Sequence, residues 1–249
     1  MKKYITKSIL FLGVLVLMTS CDKYLETTPT SSISDKIVWK DIKSVELYVN
    51  GFYPYLDRYG SFGDQQFSGS LTEGLTETFK YGSYAPGTMA GDANNYSFTP
   101  ELMTPTGNLL GTWSNTYTRI RRVNEFLVSL EKFSKLTEEE NNLMMGQVRF
   151  FRAFLYFQLA KRHGGVILYT DMNLEKNKAR SSASDTWDLI EEDLDYAASV
   201  LPKTWPSTGT GRVTKGAAFA FKSRAMLYAE RWQSAVNAAD SVMALNLYS

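Results

Sequence analysis

The chain has 249 residues, of which 44% are hydrophobic and 21% charged, and its formal net charge is +1. This composition excludes a disordered tail and a protein with many membrane spans, and the near-neutral charge argues against nucleic acid as a partner. A single cysteine and a single histidine exclude a disulfide framework, a Cys/His zinc site and most catalytic triads, so we expect no metal or other cofactor.

Residues 1–20 have the pattern of a bacterial secretion signal. Lysines occur three times in the first seven residues, and residues 9–18 form an apolar run. This run is too short to cross a membrane, which takes about 20 helical residues. Cys21 follows, and residues 17–21 (LMTSC) resemble the lipoprotein box of bacteria, in which the cysteine is acylated and becomes the new N-terminus. We therefore expect Cys21 to carry a lipid that attaches the protein to a membrane.

Residues 21–34 are polar and rich in Ser and Thr, which predicts a linker between the lipid and a folded body of residues 35–249. Two alternatives fit the same stretch less well. One is a permanent transmembrane helix, for which the apolar run is too short. The other is an incidental thiol in an ordinary secreted protein, which leaves the position of Cys21 unexplained.

The first helix of the body is predicted from apolar residues at steps of three and four. Pro54 should bend or end this helix near Gly60. Residues 60–110 differ, because Gly, Ser, Thr, Asn and Pro interrupt them and their tyrosines follow no helical step. We expect an irregular, loop-rich insertion here. The apolar stripe of the first helix is Ile42, Val45, Val49, Phe52 and Leu56.

Five more helices are predicted after the insertion. The third of the six should open with a capping box of Thr137 and Glu140. Strand candidates are few, and residues 166–169 are the best of them. The fold class is therefore mainly α. The stripe of the second helix is Trp113, Tyr117, Ile120, Asn124 and Leu127, and the third helix should stop at Gly164-Gly165. The predicted helical stretches are Trp113 to Leu127, Thr137 to Gly165, Trp187 to Leu201, Val213 to Tyr228 and Trp232 to Val242.

Two of these helices carry the same pattern, Arg-Ala-x-Leu-Tyr, at residues 152–156 and 224–228. The small Ala lets a neighbouring helix approach, and the Tyr at the end of the pattern fills the adjoining gap. This arrangement is typical of stacked tetratricopeptide-like helical pairs. We expect each copy to begin a helix that is followed by an antiparallel partner.

Three stretches together resemble the RagB/SusD family of nutrient-uptake outer-membrane lipoproteins: residues 148–170, 184–202 and 211–249. The resemblance runs from Cys21 to the end of the chain. It implies a surface-exposed, lipid-anchored protein of the outer membrane. It also implies that these residues are the N-terminal part of a SusD-like helical domain, because family members usually continue further. Ile167 stands where the family often has proline.

The resemblance further implies a function and partners. Members cover a SusC-like TonB-dependent outer-membrane barrel as a lid and hand over an oligosaccharide without cutting it. Stacking aromatics and an amide from the irregular segment contact the sugar, and the matching residues here are Tyr81, Tyr84, Asn95 and Tyr96. Aromatic rings suit the apolar faces of pyranoses, and amides suit their hydroxyls. Alternatively, these tyrosines only pin the insertion to the helices.

Other candidate residues have ordinary structural explanations. We expect Trp113, Trp187 and Trp232 to be core residues, and Trp205 to pack within a polar loop. His163 should complement the carbonyls at a helix end. A scaffold that binds only protein is an alternative function. A glycoside hydrolase is a weaker one, since it would need carboxylates such as Glu73 and Glu77 at about 5–9 Å.

Overall fold

The computed structural model describes residues 38–56, 113–173, 175 and 177–248. The chain divides into two units, Met1–Val38 and Trp39–Ser249, and the second contains nearly all of the described residues. Its described residues include six α-helices and one short 3-10 turn, Ser207–Gly209, and residues 54–56 are also helical, which confirms the mainly-α prediction. The helices are α1 (Ile42–Asn50), α2 (Trp113–Phe133), α3 (Glu138–His163), α4 (Ala183–Val200), α5 (Lys215–Tyr228) and α6 (Trp232–Ala244).

Helix α3 is the centre of the fold. It packs against α2 and α4 along their lengths and also contacts α1, while α4 packs on α5 and α5 on α6. Helix α3 packs on α4 across a connector of residues 164–182, and α5 packs on α6 across residues 229–231, so these helices form the predicted tetratricopeptide-like pairs. Fourteen residues of α3 are buried, including Phe151, Leu155 and Tyr156, which places the core along this helix.

Side-chain caps explain where the helices begin. Thr137 and Glu140 form the predicted capping box, in which each side chain binds the other residue's backbone N–H. Ser182 and Asp185 form a second box at α4, and Thr214 caps α5 by accepting from the backbone N–H of Ala217 at 3.1 Å. These polar residues satisfy backbone donors that have no partner within the helix.

The first helix is shorter than its apolar stripe suggests. It ends at Asn50, and Phe52 lies in the turn that follows, although its side chain is buried. The N–H of Gly51 bonds to the Leu47 and Tyr48 carbonyls and closes the helix. Pro54 cannot supply the N–H that a continuous helix would need there. The turn nevertheless keeps Phe52 on the core side, stacked against Tyr48.

The predicted strand at residues 166–169 is wrong. No strand forms there or elsewhere in the described part of the chain. The backbone groups of the segment instead bond to side chains from α2 and α3, notably those of Tyr117, Asn124 and Tyr156. The backbone groups of this stretch thus find hydrogen-bond partners without a second strand.

The tryptophan predictions hold in part. Trp187 is buried, but Trp113 is only partly buried, and Trp232 is 60% exposed, so its assignment to the core is wrong. The apolar stripe of α6 is covered only in part, because Ala235 is buried whereas Trp232 at the start of the helix is exposed. Other large apolar residues on α5 and α6 share this exposure. They are Leu227, Tyr228, Val236 and Met243.

The Arg-Ala-x-Leu-Tyr copies lie in the first helix of each pair, within α3 and near the end of α5, not at the helix starts. Ala153 and Ala225 are both fully buried, as the close approach of helices requires. Tyr156 is also fully buried, whereas Tyr228 is 58% exposed on the open face of α5. The boundaries predicted after residues 20 and 34 lie outside the described residues and remain predictions.

Candidate functional site

A pocket of about 470 Å³ lies between the first half of α2 and the connector that follows α3. Its size falls within the range of about 300–1,000 Å³ usual for small-ligand sites. Aromatic rings line it, together with positively charged, negatively charged and amide side chains. The lining includes Trp113, Tyr117, Arg121, Asn124, Tyr169 and Asp171.

Tyr117 joins the two walls of the pocket. Its hydroxyl donates to the carbonyl of Ile167 and accepts from the backbone N–H of the same residue, both at 2.9 Å. One side chain of α2 thereby satisfies both backbone groups of a residue 50 positions later in the chain. The connector is fixed against the helix as a partner strand would fix it.

The backbone of Tyr169 is held in the same way by a side chain of α3. The hydroxyl of Tyr156 donates to its carbonyl at 2.9 Å and accepts from its N–H at 2.7 Å. The amide of Asn124 donates to the same carbonyl at 2.7 Å. Two side chains from α2 and α3 therefore position the Tyr169 ring on the pocket wall.

A buried ion pair supports this arrangement. Arg152 on α3 makes two hydrogen bonds of 2.7 Å to the carboxylate of Asp193 on α4. It also donates to the Asn124 amide oxygen at 3.3 Å and to the Thr170 carbonyl at 3.4 Å. Arg152 is 5% exposed and Asp193 fully buried. A paired, fork-shaped contact of this kind fixes the orientation of both groups.

Burial has a predictable effect on the tyrosines. It raises the pKa of Tyr117 to about 12, although the hydrogen bond with Ile167 opposes this shift. Burial also raises the pKa of Tyr156 well above its ordinary value. Both hydroxyls consequently keep their protons at physiological pH and can donate to the connector carbonyls.

The rings around the pocket mouth form one contact group. Trp113 lies 5.0 Å from Tyr117 and 5.1 Å from His163 between ring centroids, and Tyr117 lies 6.0 Å from Tyr169. Two cations cover the outside of this group, Arg180 over Trp113 and Lys178 over Tyr169. Burial lowers the pKa of His163, and the positive charge of Arg180 adds to this effect.

This arrangement suits the binding of a polar ligand with apolar faces. The rings of Trp113, Tyr117 and Tyr169 supply flat surface, and Arg121, Asp171 and Glu175 supply charged hydrogen-bonding groups on the same walls. Within residues 38–56, 113–173, 175 and 177–248, no group of three His, Cys, Asp or Glu side chains could hold a metal ion. Nor is any helix there long and apolar enough to span a membrane.

The residues predicted from the sequence to bind glycan lie outside the described part of the chain. These are Tyr81, Tyr84, Asn95 and Tyr96, and the same holds for the predicted lipid site Cys21 and for the carboxylates Glu73 and Glu77. Their roles stay predictions.

Sequence reasoning missed the pocket residues for an identifiable reason. Trp113 and Tyr117 were assigned to a helix stripe that faces the core, and periodicity does not separate a core from a pocket wall. Asn124 offers a better signal, since an amide in an apolar stripe implies a buried hydrogen-bond partner. His163 ends α3 as predicted, but Arg180 donates to its carbonyl from the connector.

A family model described as SusD-like, starch-binding and associating with the outer membrane matches residues 23–227. SusD-like protein P38 of Formosa agariphila is 29% identical, over 100% of this chain and 48% of its own length. SusD-like protein P25 of the same organism is 23% identical, over 92% of this chain and 44% of its own length. The chain thus spans about half the length of the curated relatives it matches.

Solved structures agree with this match. A SusD-like protein from Bacteroides fragilis superposes with a TM-score of 0.67 at 28% identity, over 87% of this chain and 40% of the other. A laminarin-binding SusD-like protein superposes with a TM-score of 0.62 at 22% identity, over 82% of this chain and 44% of the other, which supports the fold alone.

Proposed function

This chain belongs to the SusD-like family, and on that basis we propose that it captures an oligosaccharide at the cell surface without cutting it. The observation that carries the proposal is the aromatic pocket at α2 in a chain that matches a starch-binding family over residues 23–227. Stacked rings with charged and amide neighbours are the chemistry that a pyranose requires.

The rigid support of the pocket favours binding. The connector residues Ile167 and Tyr169 are each held by a pair of hydrogen bonds to a tyrosine hydroxyl. A wall that is fixed before the ligand arrives loses little conformational entropy on binding. The candidate residues Tyr81, Tyr84, Asn95 and Tyr96 are proposed to complete the site.

The protein is further proposed to be anchored in the outer membrane by acyl chains on Cys21 and to deliver its ligand to a TonB-dependent barrel. The family description supports the membrane association. Several acyl chains on one residue would give durable attachment, because a single chain binds only reversibly.

Affinity electrophoresis in gels containing soluble starch or laminarin tests glycan capture. We expect the protein to be retarded by at least one of these polysaccharides. The double variant Tyr81→Ala, Tyr84→Ala should migrate as in a gel without polysaccharide. Retardation that is unchanged in this variant would remove the two tyrosines from the site. Migration that is unaffected by either polysaccharide would count against glycan capture.

Metabolic labelling with palmitate tests the anchor. The wild-type chain, expressed in a Gram-negative host, should incorporate label and sediment with outer membranes. Cys21→Ser should do neither. Label in the Cys21→Ser variant, or a wild-type chain that stays unlabelled and keeps residues 1–20, would contradict the proposed anchor.

A scaffold that binds only protein is the second candidate. The exposed apolar face of α5 and α6, with Trp232 60% exposed, favours it, because exposed contiguous apolar surface often marks a protein contact. Release of reducing ends from a bound glycan would instead indicate a hydrolase and would require a carboxylate such as Glu73 or Glu77.

A further inference from the structure

A larger groove, of about 1250 Å³, lies at the other end of α3 from the pocket described above. The first turn of α3 forms one wall, and the loop between α4 and α5 forms the other. Residues of α1 close one side. The lining of the groove includes Lys43, Glu46, Glu138, Glu139, Trp205 and Thr208. The volume exceeds the ~300–1,000 Å³ of pockets that enclose one small molecule, so it suits an elongated ligand.

Trp205 is held in a fixed orientation on this wall. Its indole N–H donates to the carbonyl of Val213 at 2.7 Å. Arg212 lies over the ring at 5.4 Å from the centroid and is itself anchored by Glu46 at 2.7 Å. The 3-10 turn comes so close that a Cβ at Gly209 would lie 3.1 Å from the Trp205 side chain. The ring is half-buried, so part of its surface is left to the groove.

Hydrogen-bonding side chains that have no partner among the described residues line the groove beside this ring. Glu138 and Glu139 are exposed at the first turn of α3, and Thr204 and Thr208 are exposed in the loop. None of the four side chains forms a hydrogen bond or ion pair with another residue of the described ranges. They remain available for the hydroxyl groups of a ligand.

The charges of the groove disfavour an anionic ligand. The Glu46 and Arg212 charges are paired with each other. The remaining charged lining residues are Lys43 on one side and the two carboxylates of Glu138 and Glu139 on the other. The excess is negative, so uronic acids or sulfated sugars would be repelled.

Peptide ligands fit the groove less well. An extended peptide would pair with a sheet edge, and the described residues contain no strand. An amphipathic helix would need an apolar channel, whereas threonines, glutamates and Asn142 interrupt the apolar lining here.

We propose that this groove is a second carbohydrate-binding site, which takes a neutral oligosaccharide with Trp205 as its apolar contact. The ring would meet the C–H groups of a pyranose, and the free carboxylates and hydroxyls would bind its hydroxyls. This site is separate from the pocket at α2 and does not require that pocket to bind sugar.

Fluorine NMR of the protein labelled with 5-fluorotryptophan tests the proposal directly, since the chain has five tryptophans. Maltoheptaose, laminariheptaose and cellohexaose are the neutral probes, and heptagalacturonate is the anionic one. Resonances are assigned with single Trp→Phe variants. We expect at least one neutral probe to shift the Trp205 resonance saturably and to leave the resonance of buried Trp187 in place. No shift of Trp205 with any neutral probe, or an equal shift with heptagalacturonate, overturns the proposal.

Two variants separate this site from the pocket at α2. Thr208→Arg places a bulky group in the groove at an exposed position, and we expect it to weaken the Trp205 titration by about tenfold or more. Asn237→Arg, an exposed position on α6, is the control for the added charge and should leave the titration unchanged. Trp113→Ala should also leave it unchanged. If Thr208→Arg has no effect, or if Trp113→Ala abolishes the Trp205 shift, the second site is excluded.

Discussion

Arg152 is the residue whose contacts reach most widely through the described site. It binds Asp193 on α4, Asn124 on α2 and the carbonyl of Thr170 in the connector. Burial is the largest influence on the pKa of Arg152 and lowers it, but the hydrogen bonds to Asp193 and the charge of that carboxylate together outweigh burial, so the pKa is raised and the guanidinium stays charged. Helix α3 thereby fixes three separate parts of the chain around one charge.

Removal of one member of this pair should be costly. Asp193→Asn leaves the Arg152 charge buried without a counter-ion, and we expect the free energy of unfolding to fall by about 3–5 kcal/mol. Urea denaturation measures it. Asp195→Asn is the matched control, because its carboxylate pairs with Lys222 at 2.6 Å but is 53% exposed. That variant should lose about 1 kcal/mol or less. Equal losses would contradict the role given to burial.

Lys161 should make the free energy of unfolding depend on pH in the alkaline range. Burial, aided by the charges of Arg162 and Arg224, lowers its pKa from 10.5 to about 8. Between these values the unfolded chain binds the proton and the folded chain does not, so stability rises with pH across this window. Relative to Lys161→Met, we expect the wild type to gain on the order of 1–2 kcal/mol after allowance for solvent screening. Denaturation at pH values spanning the window measures this gain, and parallel pH profiles would refute it.

At the scale of elements, the sequence predicts helices better than it predicts what covers them. The capping box at Thr137 and the stop at Gly164 are local signals, and both are confirmed. The strand at residues 166–169 was wrong because its backbone partners are side chains from α2 and α3, distant in sequence. Trp232 was misplaced because a helical stripe shows which face is apolar but not how much of that face a neighbouring helix covers: Ala235 is buried and Trp232 is not.

The cap of α3 gives a direct test at this scale. Thr137→Ala removes the hydroxyl that accepts from the Glu140 N–H at 3.2 Å. We expect a loss of about 1 kcal/mol in the free energy of unfolding, because a backbone donor is left without its partner. Thr204→Ala, at an exposed threonine with no such bond, should change it by less than about 0.5 kcal/mol. Thermal denaturation of both variants measures the difference, and a cap variant as stable as the control would contradict the account.

The candidate site could be predicted only in outline. Asn124 stands out in an apolar stripe, which implies a buried polar contact. The packing of α2 beside α3 decides which groups these side chains reach. It brings Asn124 to the carbonyl of Tyr169 and the Tyr117 hydroxyl to the backbone of Ile167. Such pairings between distant residues have no local sequence signature. The resemblance to a known family, rather than periodicity, indicated the ligand class.

At the scale of the whole molecule, one face of the final helical pair carries several exposed apolar side chains, Trp232 among them. The chain spans about half the length of its curated relatives, with 48% of SusD-like protein P38 covered. Trp232 is 60% exposed and Trp187 is buried, so the two side chains differ strongly in their access to water.

Fluorescence quenching tests this difference. Trp232→Phe should lower the acrylamide-quenchable fraction of the emission and shift the remainder to shorter wavelength, because an exposed indole is removed. Trp187→Phe should instead raise the quenchable fraction, because a shielded indole is removed from the total emission. If Trp232→Phe leaves quenching as it is, this face is covered in solution.

The central claim is that the pocket at α2 binds glycan, and isothermal titration tests it most directly. The polysaccharide that retards the wild-type protein is titrated into wild type, Trp113→Ala and the surface control Trp232→Ala. We predict that Trp113→Ala weakens binding by up to about tenfold, since ring stacking contributes about 0.5–1.5 kcal/mol, while Trp232→Ala binds as the wild type does. Wild-type affinity in Trp113→Ala would contradict the claim.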